Sequence, residues 1–389
     1  MELVSSGWHI VVISVVFLSG LLIVNALRVP FNIKQNRALL IYLWHTLFCI
    51  AYMFYSIKYG ADSVSYYEDS FQNYSELAVG TGGIVFLTSL FTRFLDFSYF
   101  GVFLVFNIFG AIGLLAFDAS LKVATLKKPR YVKYIASIFV FLPSTSFWSS
   151  AIGKDSLSFM AVGLALWAVL SLKRRVTVMG LAVLVMLFVR PHMAGIMILA
   201  LSGAMLLQNK IPLSQRVLLG GVVGGITVVL VPFAINFSGL EFFDTVGITN
   251  YIQDRQSYNQ IGGGGIDISA MSFPVQLFTY LFRPLPFEAH SMVSLASSVE
   301  NTILLFVCFV AIKEFKRYQY SKENRVYMWL YVLISWAVLA TTTANLGISA
   351  RQKWMFLPVL IFLLISRMGG YQQINRVSKT EAGMMDRRR

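Results

Sequence analysis

A chain of 389 residues with 57% hydrophobic and only 13% charged side chains is excluded from the ordinary soluble class, in which about a quarter of residues carry charge. Its mean hydropathy of +0.69 points to an all-α polytopic membrane protein, a single integral membrane domain over residues 1–389. The net charge of +14 does not indicate nucleic acid, because the basic residues sort by side of the membrane.

Apolar runs of adequate length predict membrane helices near residues 8–27, 38–57, 98–118, 132–150, 155–172, 176–190, 193–208, 217–237, 291–312, 326–343 and 352–367, eleven in all. The first run has no basic residue before it and no small-residue cleavage site after it, so it is expected to stay as a transmembrane helix. Residues 58–97 form a first outer loop, and its segment 80–96 is expected to lie in the outer interface or to dip in and out. Cys49 and Cys308 stand far apart in apolar runs, which predicts two buried thiols without a disulfide framework or metal spacing.

The tight basic turn Lys173, Arg174, Arg175 joins two apolar runs and is assigned to the cytoplasm, where short loops retain positive charge. With that turn fixed, the N-terminus lies outside and the C-terminus inside. The cytoplasmic segments then hold 24 of the 32 Lys and Arg, and 13 of the 18 acidic residues fall outside. The pairs Gly220-Gly221 and Gly224-Gly225 fall at helix-packing spacing. A large outer loop spans 238–290, and its four glycines from Gly262 to Gly265 read as a mobile flap, since no Lys-Ser/Thr and no following helix complete a phosphate loop. Residues 368–389 form a basic cytoplasmic tail.

Eight basic side chains remain on the outer side: Lys58, Arg93, Lys154, Arg190, Arg255, Arg283, Arg351 and Lys353. Lys58 reads as a lysine snorkelling to the headgroups. The run ending before Arg190 has 14 residues, about 21 Å of helix against a hydrocarbon thickness of roughly 30 Å. Arg190 is therefore expected within the depth of the membrane, where an ionisable group is by default a functional hypothesis. Arg190 and Arg283 each precede a proline, and a broken helix exposes backbone donors beside the side chain. If the helix ends converge, Arg190, Arg283, Arg351, Lys154, Arg255 and Lys353 build a cationic chamber suited to an anionic group such as a polyprenyl pyrophosphate. Candidate general bases are Glu288, Asp62, His192 and Asp155. Glu288 follows the stiff run Arg283-Pro284-Leu285-Pro286-Phe287, and Lys154 with Asp155 forms at minimum a local charge pair at a helix start.

The pieces FLPSTSFWSSAIGKDSL, FVRPHMAGIMI and YLFRPLPFEAHSMVSLASSVENTILL resemble the integral membrane polymerases of bacterial surface polysaccharides, the Wzy-like O-antigen or capsule polymerases and their EpsG-type relatives. The resemblance implies a GT-C-like fold in the bacterial cytoplasmic membrane, with a chamber open to the periplasmic side. It also implies undecaprenyl-pyrophosphate-linked oligosaccharides as substrates, no metal or other cofactor, and membrane lipid, a chain-length regulator and a flippase as partners. A polyprenyl-phosphate-dependent GT-C glycosyltransferase is the alternative enzyme reading, and a lipid-linked sugar transporter the alternative outside catalysis.

Overall fold

The computed structural model describes residues 3–72, 79–206, 264–268, 270–314 and 325–369, with isolated residues 214, 221, 224, 225 and 256. Among these the regular structure is helical: α1 Gly7–Leu27, α2 Gln35–Tyr59, α3 Asp62–Asp69, α4 Thr81–Leu95, α5 Tyr99–Thr125, α6 Arg130–Val140, α7 Pro143–Ser149, α8 Lys154–Val169, α9 Val176–Val189, α10 Pro191–Leu206, α11 Phe273–Phe282, α12 Met292–Lys313, α13 Arg325–Thr342, α14 Leu346–Gln352 and α15 Leu357–Arg367. Five of them, α1, α2, α5, α12 and α13, are long and apolar enough to cross a membrane, and a sixth span arises if α14 and α15 are taken as one bent pair. The chain is thus a helical membrane protein. The expectation of eleven spans exceeds what the described helices satisfy, and the predicted helix 217–237, apart from Gly221, Gly224 and Gly225, and the tail beyond 369 lie outside the described residues.

Two predicted spans are broken. The expected helix 132–150 divides into α6 and α7, because Pro143 has no amide hydrogen to continue the ladder and drives Leu142 to φ −62° and ψ 131°, outside the helical region. The expected helix 352–367 is instead α14, a 3₁₀ turn over Lys353–Met355, and α15, with a bend of 68° between the two arms. The segment 80–96 folds as α4, only 15 residues long, or about 22 Å, short of a full span. Its stripe of Ile84, Val85, Thr88, Ser89 and Thr92 is buried, while Phe94 and Leu95 are exposed.

Helix α5 is the centre of the bundle, buried along almost its whole length and packed against α1, α2, α6, α8 and α15. Its closest partner is α8, and glycine permits the approach. A Cβ at Gly163 would stand 2.4 Å from the Gly113 carbonyl oxygen, and one at Gly113 would stand 2.8 Å from the Met160 Cα. Close backbone approach therefore falls at this crossing. Around Gly221, Gly224 and Gly225 a Cβ would meet nothing within 4 Å among the described residues. On the rim, Val15, Leu18 and Leu22 of α1 and Phe306, Phe309 and Ile312 of α12 are exposed, a placement that water penalises and hydrocarbon does not.

Contacts between distant segments gather at two ends of the bundle. At one end Arg37 grips Asp118 at 2.6 Å and Ser137 Oγ at 3.0 Å, while buried Lys128 donates to the Ser366 and Met368 carbonyls at 2.7 and 2.6 Å. Arg175 lies 3.6 Å over the Trp167 ring. At the other end meet the loop after α2, the start of α8, the break between α9 and α10, and α14. Both cysteines are free, Cys49 buried and Cys308 half-buried.

Gly163→Ala forces the α5–α8 crossing apart and is expected to lower stability by about 1–3 kcal/mol. Gly180→Ala, whose new Cβ meets nothing within 4 Å, serves as the neutral control, and thermal unfolding in detergent micelles compares the two.

Candidate functional site

Four charged residues from four separate segments meet at the second end. Asp62 opens α3 directly after a turn at Gly60, whose φ of 71° is natural only for glycine. Asp155 lies in the first turn of α8, where the helix dipole favours a carboxylate; at Gly153, two residues earlier, φ is 154°, and a Cβ there would stand 3.3 Å from the Tyr66 ring. Arg190 occupies the break that Pro191 imposes, at φ −147° and ψ 78°. Arg351 projects from the short α14, whose start is capped by Asn345 Oδ1 accepting from the Gly347 and Ile348 amides at 2.9 and 3.2 Å.

Asp155 holds the group together. Its Oδ1 lies 2.6 Å from Arg190 Nη2 and its Oδ2 lies 3.1 Å from Arg351 Nε. Arg351 Nη1 in turn reaches Asp62 Oδ2 at 3.0 Å. The contact at Arg351 Nε is an ion pair by distance without hydrogen-bond alignment, and Arg190 Nε is buried with no hydrogen-bond partner among the described residues. Lys154 stands at the margin, its Nζ 3.0 Å from Thr81 Oγ1 at the start of α4. The same stretch is pinned by the Gly80 amide donating to the Phe188 carbonyl at 2.8 Å. Three cations against two carboxylates leave one net positive charge. The Tyr280 hydroxyl, buried and without a hydrogen-bond partner among the described residues, lies within electrostatic reach of Arg190 and Asp155. A small pocket opens beside the cluster, lined by Asp155 and Arg351 and walled by Trp148, Phe159 and Trp354, with Ser149 on its surface.

Arg283 and Glu288 form a separate pair. Arg283 Nη2 lies 2.6 Å from Glu288 Oε1 and Nε 2.8 Å from the same oxygen, while the Leu285 amide donates to Oε2 at 2.8 Å. These Arg283 hydrogen bonds hold the Glu288 carboxyl below the usual glutamate range. Asn301 Nδ2 donates to the Pro284 carbonyl at 3.1 Å, and Lys353 Nζ donates to Asn301 Oδ1. Lys353 is buried and so does not snorkel to the headgroups. Nearby Glu300, also buried, receives hydrogen bonds from the amide and hydroxyl of Ser144.

Of the predicted site residues, the structure thus brings Asp62, Asp155, Arg190 and Arg351 into one network, with Lys154 beside it. Asp155 pairs with the two arginines rather than with its neighbour Lys154. Glu288, Arg283 and Lys353 belong to the adjoining layer, and His192 stands half-buried in the first turn of α10. Arg255 lies outside the described residues. The described end of the glycine run is not free: Ile266 N donates to the Ala344 carbonyl and Leu346 N to the Gly264 carbonyl, at 2.9 and 2.8 Å, which ties it to α14. Sequence reasoning passed over Glu300 and Asn301, although a charge inside an apolar run was the signal that would have found them. It also passed over Tyr280, which has no local mark. Among the described residues no group of three or more His, Cys, Asp or Glu is placed to hold a metal ion.

Asp155→Asn leaves two guanidiniums without their shared anion. Since the Asp155 side chain retains 17% exposure, the expected loss is about 3 kcal/mol, the low end for breaking a buried pair. Asp62→Asn, at a carboxylate 54% exposed, costs under about 1 kcal/mol, and thermal unfolding ranks them. For Glu288, the folded carboxyl titrates below its unfolded value, so its stabilisation is present above about pH 4.3 and is lost as pH falls through the lower folded value. Glu288→Gln is expected to flatten that acid limb in unfolding scans against pH. In comparison with known proteins, no family model, no curated protein and no solved structure matches the chain.

Proposed function

We propose that the chain is a membrane glycosyltransferase that joins undecaprenyl-pyrophosphate-linked oligosaccharide repeat units into a surface polysaccharide on the outer face of the bacterial cytoplasmic membrane. The observation that carries this reading is the cation-rich cluster at one end of the bundle, with a buried Arg190 Nε that has no hydrogen-bond partner among the described residues. Breaking the bond between a sugar and a pyrophosphate places negative charge on the departing phosphate. Fixed guanidiniums in a low-dielectric site stabilise that charge as it develops, without reorganising at the moment of reaction. Arg190 and Arg351 are assigned that role, with Lys154 at the rim and Arg283 in the adjoining layer. Asp155 keeps the two guanidiniums close together in the absence of substrate.

The acceptor sugar's hydroxyl must lose a proton as it attacks the donor carbon. Asp155 has an arginine on each oxygen, and Glu288 is bound by Arg283 and the Leu285 amide. Asp62 has a single guanidinium contact and the most exposed carboxylate of the cluster, so it is the preferred base. The same exposure supports a second reading, a GT-C transferase that moves one sugar from a polyprenyl phosphate with Asp62 as base. The two readings differ in product: a ladder of repeats for the polymerase, a single addition for the transferase.

A deletion strain complemented with wild type is expected to regain a polysaccharide ladder on gels. Arg190→Ala and Arg351→Ala, present in the membrane at wild-type level, are expected to leave single capped repeats, with polymerisation down by about 10²–10³-fold. Normal ladders from both variants would remove the site, and loss of even the single-repeat band on deletion would favour the transferase or an export step.

A further inference from the structure

Helix α4 is inside-out by the standard of a surface helix in water. Its stripe toward the bundle sets Thr88, Ser89 and Thr92 beside Ile84 and Val85, all buried, while the opposite edge presents Leu90, Phe94 and Leu95 at 37, 75 and 46% exposure. Two of the buried hydroxyls bond within the protein: Ser89 Oγ donates to the Phe86 carbonyl at 2.7 Å, and Thr92 Oγ1 lies 2.9 Å from Ser70 Oγ. No charged residue occurs from Gly80 to Thr92. Water favours the reverse arrangement of polar and apolar edges; hydrocarbon favours this one.

Hydrogen bonds at the two ends of α4 fix its depth. At one end the Trp8 indole Nε1 donates to the Leu95 carbonyl at 2.9 Å. Trp8 stands in the first turn of α1, whose 21 residues measure about 31 Å, the full hydrocarbon thickness. Beyond the other end of α1 the Asn32 carbonyl accepts from Lys122 in the last turn of α5, so Trp8 and Leu95 lie at the membrane boundary on the cluster's side. The charges of the segment gather there too: Arg93 Nη1 donates to the Gln72 carbonyl at 3.3 Å, and the Asp96 side chain is 81% exposed. At the other end of α4 the Gly80 amide donates to the Phe188 carbonyl at 2.8 Å. Phe188 belongs to α9, which starts at Val176 directly after the exposed Lys173 and Arg174 and so rises from the opposite boundary. At 1.5 Å per residue Phe188 stands at most about 18 Å above that boundary, or about 12 Å below the one at Leu95. Helix α4 therefore slants through most of one leaflet.

We propose that α4 is a slanted half-span embedded in the leaflet at the cluster end of the bundle, with Leu87, Leu90 and Phe94 against lipid acyl chains. These three recur at i, i+3 and i+7, one face of a helix. Lipid is the occupant because the edge continues, through the Trp8 bond, the exposed apolar face that α1 presents at Val11, Val15 and Leu18. The deep end of α4 carries Thr81, whose Oγ1 accepts from Lys154 Nζ at 3.0 Å. The helix thus joins the margin of the ionic cluster to the hydrocarbon, whatever reaction the cluster performs.

The test is spin-label accessibility in vesicles of phosphatidylcholine and phosphatidylglycerol. Leu87→Cys, Leu90→Cys and Phe94→Cys are each labelled with a nitroxide, and the wild-type chain is carried through the same labelling as the blank for Cys49 and Cys308. At all three positions collisions with oxygen, which concentrates in hydrocarbon, are expected to exceed those with a water-soluble nickel chelate. The label at Leu87 is expected about 6 Å deeper than that at Phe94, from the slant over seven residues. Equal depths would overturn the slant, since a helix lying in the interface plane gives them. Nickel collisions in excess would show water on this edge, and a label shielded from both reagents would show a protein cover, either a second copy or another part of this chain; each overturns the lipid contact. Unmodified protein supplies a second measurement: a hydrophobic diazirine photolysed in the bilayer is expected to tag Leu90 and Phe94 and to spare Thr88, Ser89 and Thr92. An untagged α4 beside a tagged α1 would overturn the proposal.

Discussion

The arrangement depends on one carboxylate. Asp155 offers one oxygen to Arg190 and the other to Arg351, and so ties the start of α8, the break after α9 and the short α14 to a single point. Asp62 extends the tie to the loop after α2 through Arg351. Between helices in hydrocarbon there is little hydrophobic gain in association, since lipid tails are as apolar as leucine. Packing of small residues and pairing of polar ones must decide which helices meet. The crossing of α5 and α8 at Gly113 and Gly163 supplies the first, and the Asp155 pairs supply the second. A residue that holds the bundle end together also sets the spacing of the two guanidiniums, so folding and site geometry are one constraint here.

What sequence alone could read follows the range of the physics. Rules that need only local information worked: Arg190 beside a proline, a short run before it, and Asp155 at a helix start are all local marks, and these residues do meet. The same rules could not choose partners. Arg283 has its counter-ion five residues away in Glu288, whereas Lys353 reaches Asn301 across 52 positions, and nothing in the spacing separates the two cases. Span prediction failed where apolarity outvoted chain geometry. Pro143 was a visible breaker inside the run 132–150, and the 68° bend before α15 lies in a run that reads as one apolar stretch. His45, which α2 holds between Asn107 and Ser149, went unremarked for a similar reason, a single polar residue being averaged away in an apolar window.

Two kinds of polar group are nested at this end of the protein, and they differ in what they tolerate. The His45, Asn107 and Ser149 layer is neutral when the ring carries one proton, and its partners are fixed by a chain that runs back through Thr46 to the Tyr42 carbonyl. Such a layer is rigid at small electrostatic cost, because no charge has to be desolvated. The outer layer is ionic and holds more cations than anions. Neighbouring Lys353 and Glu300 are buried as well, but each is hydrogen-bonded, Lys353 to Asn301 and Glu300 to Ser144. The uncompensated charge is therefore concentrated at Arg190, Arg351 and Lys154 rather than spread over the end of the bundle.

An excess of buried positive charge is costly in proportion to how little water reaches it. The Arg190 side chain is only 8% exposed, and its Nε has no acceptor among the described residues, so replacing it by an apolar residue of similar volume is expected to relieve the resting protein. A group that stabilises the empty protein poorly gains most when an anion arrives, because the ligand then supplies both the missing charge and the missing acceptor. For a glycosyl transfer with a pyrophosphate leaving group the gain is largest as the sugar–oxygen bond breaks, since the phosphate oxygens are then most negative. Under the proposed reading, Arg190, with its Nε free of acceptors among the described residues, is the part of the site matched to the transition state, and Asp155, paired to its Nη2, restrains it until substrate takes over the contact.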